Sequence, residues 1–146
     1  MRLNPGYAVR ASFVGSPHNA YPMTKILFIE DEPALQKALG DFLRESGYEV
    51  VSALDGEMGL RLIEKEKPDL VLLDLILPKV RGLDVLEKMR KNPSFGSIPV
   101  IVLTNVESSE AVEASLALGA RAYLVKTNYN LDEVLTKIKA VLSEKE

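Results

Sequence analysis

Five short apolar runs punctuate the chain from Lys25 onward, at Lys25–Ile29, Tyr48–Ala53, Leu70–Leu73, Ile98–Leu103 and Ala122–Val125. Each has strand length, and three are apolar nearly throughout, the pattern of strands covered on both faces. Between them the apolar positions fall at helical spacing. Ala34, Leu35, Ala38, Leu39, Phe42 and Leu43 lie on one face of a helix, and Leu131, Val134, Leu135, Ile138, Val141 and Leu142 on one face of another. Leu83, Val85, Leu86 and Met89 read as the buried side of a third helix. The punctuation agrees: Pro33 suits a first helical turn, Gly47 a helix stop, Pro68 the end of the second helix, and Asn130 with Glu133 a capping box.

Strands alternating with helices imply right-handed crossovers, so the pattern predicts an α/β fold, a parallel sheet with helices on both faces. Ligands of such sheets gather at the carboxyl ends of the strands. There the chain places Glu30, Asp31 and Glu32 after the first strand, Asp74 after the third, Thr104 after the fourth and Lys126 after the fifth. The second strand, expected at an edge, carries no such residue.

The 146 residues suit one domain, with 47% hydrophobic and 27% charged residues. We place that domain at residues 23–146. Residues 1–22 hold three prolines, two glycines and no periodicity, and read as an irregular extension or as a stretch upstream of a natural start at Met23. The lone histidine, His18, lies there without partners for a metal. A net charge of −3 argues against a counterion-displacing nucleic-acid surface. No apolar run approaches the roughly twenty residues of a membrane-spanning helix. With no cysteine in the chain, thiol chemistry is excluded and a cytoplasmic location is the simplest expectation.

Each strand-end residue alone has an ordinary reading. Acidic residues favour helix N-termini, Thr104 could cap a strand, Tyr123 could be a half-buried strand residue, and a lone lysine is usually solvated. Gathered on one rim, they acquire a shared chemistry. Glu30, Asp31 and Asp74 would repel by about 3 kcal/mol per pair at about 5 Å and a dielectric near 20. A hard divalent cation, magnesium or manganese, relieves this, and Lys126 adds a second positive charge. The absence of cysteine and of histidine within the domain disfavours zinc and copper. Such a set can hold a tetrahedral anion on Asp74: metal and Lys126 neutralise phosphoryl oxygens, Thr104 donates to another, and an aspartyl phosphate results.

Four ordered stretches carry a resemblance: Ile26 to Pro33 with Glu30-Asp31-Glu32, Asp69 to Pro78 with Gly82, Pro99 to Thr104, and Gly119 to Lys126. From about Thr24 the chain resembles the receiver domain of two-component response regulators, of the stand-alone, chemotaxis-regulator-like kind. The resemblance implies a flavodoxin-like, doubly wound sheet of five parallel strands ordered 2-1-3-4-5. It implies Asp74 as phosphoacceptor, with Glu30, Asp31, Asp74 and the backbone carbonyl of Ile76 around the metal. It further implies Thr104 as switch hydroxyl, Lys126 as phosphate contact and Tyr123 as the aromatic that reports on Thr104. The donor would be a histidine kinase or histidine phosphotransfer protein. The output would be an altered surface of helix four, strand five and helix five, meeting an unknown downstream protein, with no direct nucleic acid and no membrane. The expected state is a monomer, dimerisation of the phosphorylated form being left open. The domain would catalyse its own phosphorylation and dephosphorylation without being an enzyme for a separate substrate.

Three positions depart from the family pattern. Thr127 stands where a proline, often cis, usually follows the lysine, so a trans bond is expected, since a cis bond before a non-proline costs about 2.5–4 kcal/mol. The loop to Tyr129 would then hold Lys126 less rigidly, with Asn128 restoring some order through a side-chain turn. Asn105 is larger than the usual residue after the threonine, and Ile76 puts an apolar side chain near the attack path. Two other readings compete. Aspartate-nucleophile phosphatases need an acid two residues after the nucleophile, where this chain has Ile76. A degenerate receiver would bind partners without phosphorylation, which the intact Asp31, Asp74, Thr104 and Lys126 disfavour. Glu64 to Lys67 reads as a solvated helix end, and helix five is expected to finish near Leu142 with no linker beyond it.

Overall fold

A computed structural model describes residues 23–144; the predicted extension over residues 1–22, His18 included, lies outside them. In chain order the elements are β1 (Lys25–Ile29), α1 (Pro33–Glu45), β2 (Glu49–Ala53), α2 (Gly56–Glu66), β3 (Leu70–Leu73) and α3 (Gly82–Lys91). There follow β4 (Val100–Thr104), α4 (Ser109–Ala117), β5 (Ala122–Val125), a 3-10 turn (Lys126–Asn128) and α5 (Leu131–Glu144). All strand pairings are parallel and the order is β2-β1-β3-β4-β5, as expected.

The twofold alternation of side chains divides the central strands between two cores. Leu27, Ile29, Val71, Leu73, Val100 and Val102 face Ile63 of α2 and Val85, Leu86 and Met89 of α3. Ile26, Phe28, Leu70, Leu72, Ile101 and Leu103 face Leu39 and Leu43 of α1 and Val134, Ile138 and Val141 of α5. Both cores are buried, which accounts for strands apolar at almost every position.

Several boundaries shift for identifiable reasons. Tyr48 is not in β2, because its N–H returns to the Leu43 carbonyl at 3.1 Å to finish the α1 stop, where Gly47 takes φ 101°. Ile98 and Pro99 precede β4, since Pro99 has no N–H to offer; its carbonyl accepts from Val71 at 3.0 Å. Lys67, in the left-handed region at φ 48°, caps α2 one residue before Pro68. The α1 face is rotated from the predicted one. Gln36, Leu39, Gly40 and Leu43 are buried whereas Ala34 and Ala38 are exposed, because two methyl groups offer less than Gln36 gains from strand-end carbonyls. Nor is Glu64 to Lys67 wholly solvated: Glu66 pairs with Lys25 at 3.0 Å.

The layers differ in how firmly they are held. In α4 only Ser115 is fully buried, and Leu116 is 49% exposed. Its C-terminal end is fastened by Arg90 at the end of α3. That guanidinium donates to the carbonyls of Leu118 (2.9 Å), Gly119 (3.2 Å), Gly96 (3.1 Å) and Ile98 (3.0 Å), joining the α3–β4 and α4–β5 connections. Arg90→Ala is expected to cost about 2 kcal/mol or more by leaving these carbonyls short of donors. Urea unfolding checks the loss, and amide hydrogen exchange should show α4 opening first.

Candidate functional site

The site is built where β1, β3 and β5 end. The N–H of Glu30 prolongs the β1–β2 ladder to Ala53 at 2.9 Å, and Glu30 is fully buried. The chain then turns out through exposed Asp31 and Glu32 into α1, whose first residue is Pro33. On β3, Asp74 still bonds backward, its N–H to the Ile29 carbonyl at 3.1 Å, and is 4% exposed. Gly82 lies against this exit, donating to Leu75 O at 2.9 Å. A Cβ there would collide with the Asp74 carbonyl oxygen and the Leu75 Cα, so only glycine lets α3 start so close.

Lys126 closes the arrangement. Its Nζ donates to Asp74 Oδ2 at 3.0 Å and forms an ion pair with Glu30 Oε1 at 2.7 Å, with its side chain mostly buried. The Glu30 contact is electrostatic in character, because Oε1 meets no donor in hydrogen-bond geometry. Glu30 Oε2 accepts from the Glu32 N–H at 3.0 Å, and Asp74 Oδ1 from the Ile76 N–H at 3.3 Å. Burial pushes the Glu30 carboxyl above its ordinary pKa; Lys126 and the Glu32 N–H pull it back, and the Asp74 charge adds to the rise. Burial by itself would lower the Lys126 ammonium, but its close contacts with Glu30 and Asp74 and their charges outweigh this and raise it.

Glu30, Asp31 and Asp74 bring one carboxylate oxygen each within 4.8 Å of one another. Three hard oxygen donors with no nitrogen or sulfur suit magnesium or manganese. The residues present therefore fit the predicted ion. Thr104 lies at the end of β4, fully buried, in the register that pairs Leu73 with Val102. Its Oγ1 accepts from the Val106 N–H at 3.4 Å, while the Tyr123 hydroxyl donates to the Val106 carbonyl at 2.7 Å. Thr104 and Tyr123 thus hold the two backbone groups of one residue, Val106, at the start of the β4–α4 connection. The Tyr123 phenol is raised in pKa by burial first and by the Asp74 charge second.

Residues 26–139 match the family model of the response regulator receiver domain. The chain belongs to the response regulator receiver family. Among similar curated proteins, this receiver is 36% identical over 120 residues to the DNA-binding dual master transcriptional regulator RpaA of Synechocystis, covering 82% of the present chain and 49% of RpaA. It is 37% identical over 122 residues to the alkaline phosphatase synthesis transcriptional regulatory protein PhoP of Bacillus subtilis, covering 84% and 50%. The chain thus spans about half the length of the curated relatives it matches. A CheY-like receiver domain from Methanospirillum hungatei superposes with a TM-score of 0.79 at 35% identity, over 84% of this chain and 96% of that one. The BeF3-activated receiver domain of Klebsiella pneumoniae RstA gives 0.74 at 31% identity, over 81% and 97%. Receiver domains are signalling modules of two-component systems, and the fold here is theirs. Among the described residues, no helix is long and apolar enough to cross a membrane.

The receiver has no cis peptide among its described residues, so the bond before Thr127 is trans as expected. Order after Lys126 comes from the 3-10 turn, with Tyr129 donating to Lys126 O at 3.5 Å and packing on the core, and not from an Asn128 side-chain turn. Ile76, whose N–H donates to Asp74 Oδ1, is 66% exposed. Sequence reasoning missed Gln36, whose amide reaches the strand ends beside the site; its spacing from Leu39 and Leu43 was the available signal. Gly82→Ala is expected to destabilise the receiver by about 1–3 kcal/mol and to slow any reaction at Asp74, because the strand exit must shift to admit the methyl group. Urea midpoint and phosphorylation rate, measured side by side, check both effects.

Proposed function

We propose that this receiver is a phosphorylation-dependent switch that takes a phosphoryl group on Asp74. The observation that carries the proposal is the double engagement of Lys126 with Asp74 and Glu30, on the rim where three carboxylate oxygens converge. The donor is a phosphohistidine of a histidine kinase or phosphotransfer protein. An Asp74 oxygen attacks phosphorus as the P–N bond breaks, and the bonding pair returns to the imidazole. Lys126 balances phosphoryl charge, and the Thr104 hydroxyl, free to rotate from its long contact with the Val106 N–H, donates to a phosphoryl oxygen. Glu30, Asp31, Asp74 and the Ile76 carbonyl would hold a divalent ion, which when bound would supply further positive charge at the transferring group.

Thr104 and Tyr123 share Val106, so a Thr104 drawn toward Asp74 releases one of the two contacts on that residue. The movement reaches α4, the layer with the least burial, and alters the α4-β5-α5 surface met by a partner protein. The domain catalyses its own phosphorylation and hydrolysis. RpaA and PhoP are transcriptional regulators by name; the expectation of no direct nucleic-acid contact applies to the receiver alone. A monomer in the cytoplasm is the simplest working state.

Intact mass after incubation with acetyl phosphate tests the reading. A gain of one phosphoryl group is expected that requires both magnesium and Asp74, and it should vanish in Asp74→Ala. No gain, where a known receiver is modified, would turn the reading to a phosphorylation-independent interaction module. The exposed Ile76 is expected to slow hydrolysis by crowding the water's approach. Ile76→Asn should shorten the phosphoryl lifetime several-fold, and an unchanged lifetime would remove Ile76 from the account.

A further inference from the structure

Gln36 is a buried polar residue on an otherwise apolar helix face, and its bonds converge on the acidic elbow. Its Nε2 donates to the carbonyls of Phe28 (3.0 Å) near the end of β1, Glu30 (3.0 Å) just past it and Ala53 (3.1 Å) at the end of β2. Its own backbone N–H donates to Glu32 O at 3.0 Å. The backbone bond is the first of α1 and fixes the Glu32 end whatever the residue; the Glu30 end is held by the Gln36 side chain. Asp31, between them, is exposed and its carboxylate makes no hydrogen bond or ion pair among the described residues. Its position is set only through the backbone on either side.

The Gln36 amide is also costly to keep. It has two N–H groups for three acceptors, and its buried Oε1 has no partner. A buried amide oxygen left unpaired costs about 1–3 kcal/mol, which an apolar residue in the same place would avoid. Packing alone would favour leucine or methionine here, alongside Leu39 and Leu43. The requirement Gln36 meets is thus one of position.

We infer that Gln36 is the positioning residue for the acidic pair, holding the Glu30–Asp31 backbone where both carboxylates converge with Asp74. The inference rests on the metal-dependent reading of the site given above. It assigns Gln36 no contact with the ion, only control over the residues that would make one. Groups that orient ligands in this way typically change metal affinity about 10–100-fold when removed.

The test is titration calorimetry of Mg2+ alone into the folded protein, with circular dichroism confirming the fold of each variant. Gln36→Met keeps length and volume and removes the donors; Leu39→Ala, on the same helix face, lowers stability without touching the elbow. Gln36→Met should bind Mg2+ about tenfold more weakly or worse, and Leu39→Ala within about twofold of wild type. With acetyl phosphate, Gln36→Met should need correspondingly more Mg2+ for half-maximal rate while keeping its rate at saturation within about twofold, a split that general loosening of the fold would not produce. If Gln36→Met does not fold, Gln36→Asn carries the same readout, since its shorter side chain cannot span the three carbonyls. Unchanged Mg2+ affinity in a folded Gln36 variant, or an equal loss in Leu39→Ala, would overturn the inference and leave the proposed function standing. Absence of Mg2+ binding by the wild type would overturn the proposed function and this inference with it.

Discussion

Two carboxylates that repel each other are buried side by side at the end of a hydrophobic sheet, and one ammonium holds them there. Glu30 is fully buried and Asp74 nearly so. Lys126 pairs with both from the far side of β4, supplying the opposite charge that two buried carboxylates require. The rest of the structure serves that contact. β3 must lie between β1 and β4, β5 must lie next to β4, and the strands must run parallel so that all their carboxyl ends open on one rim. The tightly packed strands beneath prevent the charges from drifting apart or admitting water freely. On the proposed function, a phosphoryl group on Asp74 would shift this balance, because Lys126 would then face a new anion.

Rigidity is distributed unevenly around this contact. On the β1 side the elbow is held by Gln36 and the Asp74 exit is braced by Gly82, whose lack of a side chain lets two backbones meet. On the β4 side α4 buries little, is secured by Arg90 at its C-terminal end, and meets the site through Val106, whose N–H and carbonyl are held by Thr104 and Tyr123. A switch needs both qualities, a fixed place for chemistry and a nearby element that moves at small cost.

Strands and helices were legible because burial on both faces demands runs of Leu, Val and Ile, and because Pro33, Gly47 and the Asn130–Glu133 pair act locally. The capping box forms as read, with Asn130 and Glu133 exchanging bonds of 2.9 and 2.8 Å. The α1 face was misread, since Ala34 and Ala38 look apolar in sequence but contribute little area, while Gln36 looks polar and is buried. Arg90 gave no signal at all; its acceptors are backbone carbonyls of residues distant in sequence, and any sequence could supply those.

The chain by itself determined the alternation of strand and helix, and it placed a carboxylate, hydroxyl or lysine at each chemically relevant strand end, because these depend on local pattern and on position within a run. Only the tertiary structure decided which of those residues touch. Lys126 rests on Glu30 and Asp74 while Thr104 and Tyr123 turn to Val106, and such choices depend on strand order, register and the direction of each side chain. Convergence in space is a property of the packed sheet. A linear pattern can state that the groups share a rim, but the distances across that rim, and hence the balance of charge, exist only once the strands are laid side by side.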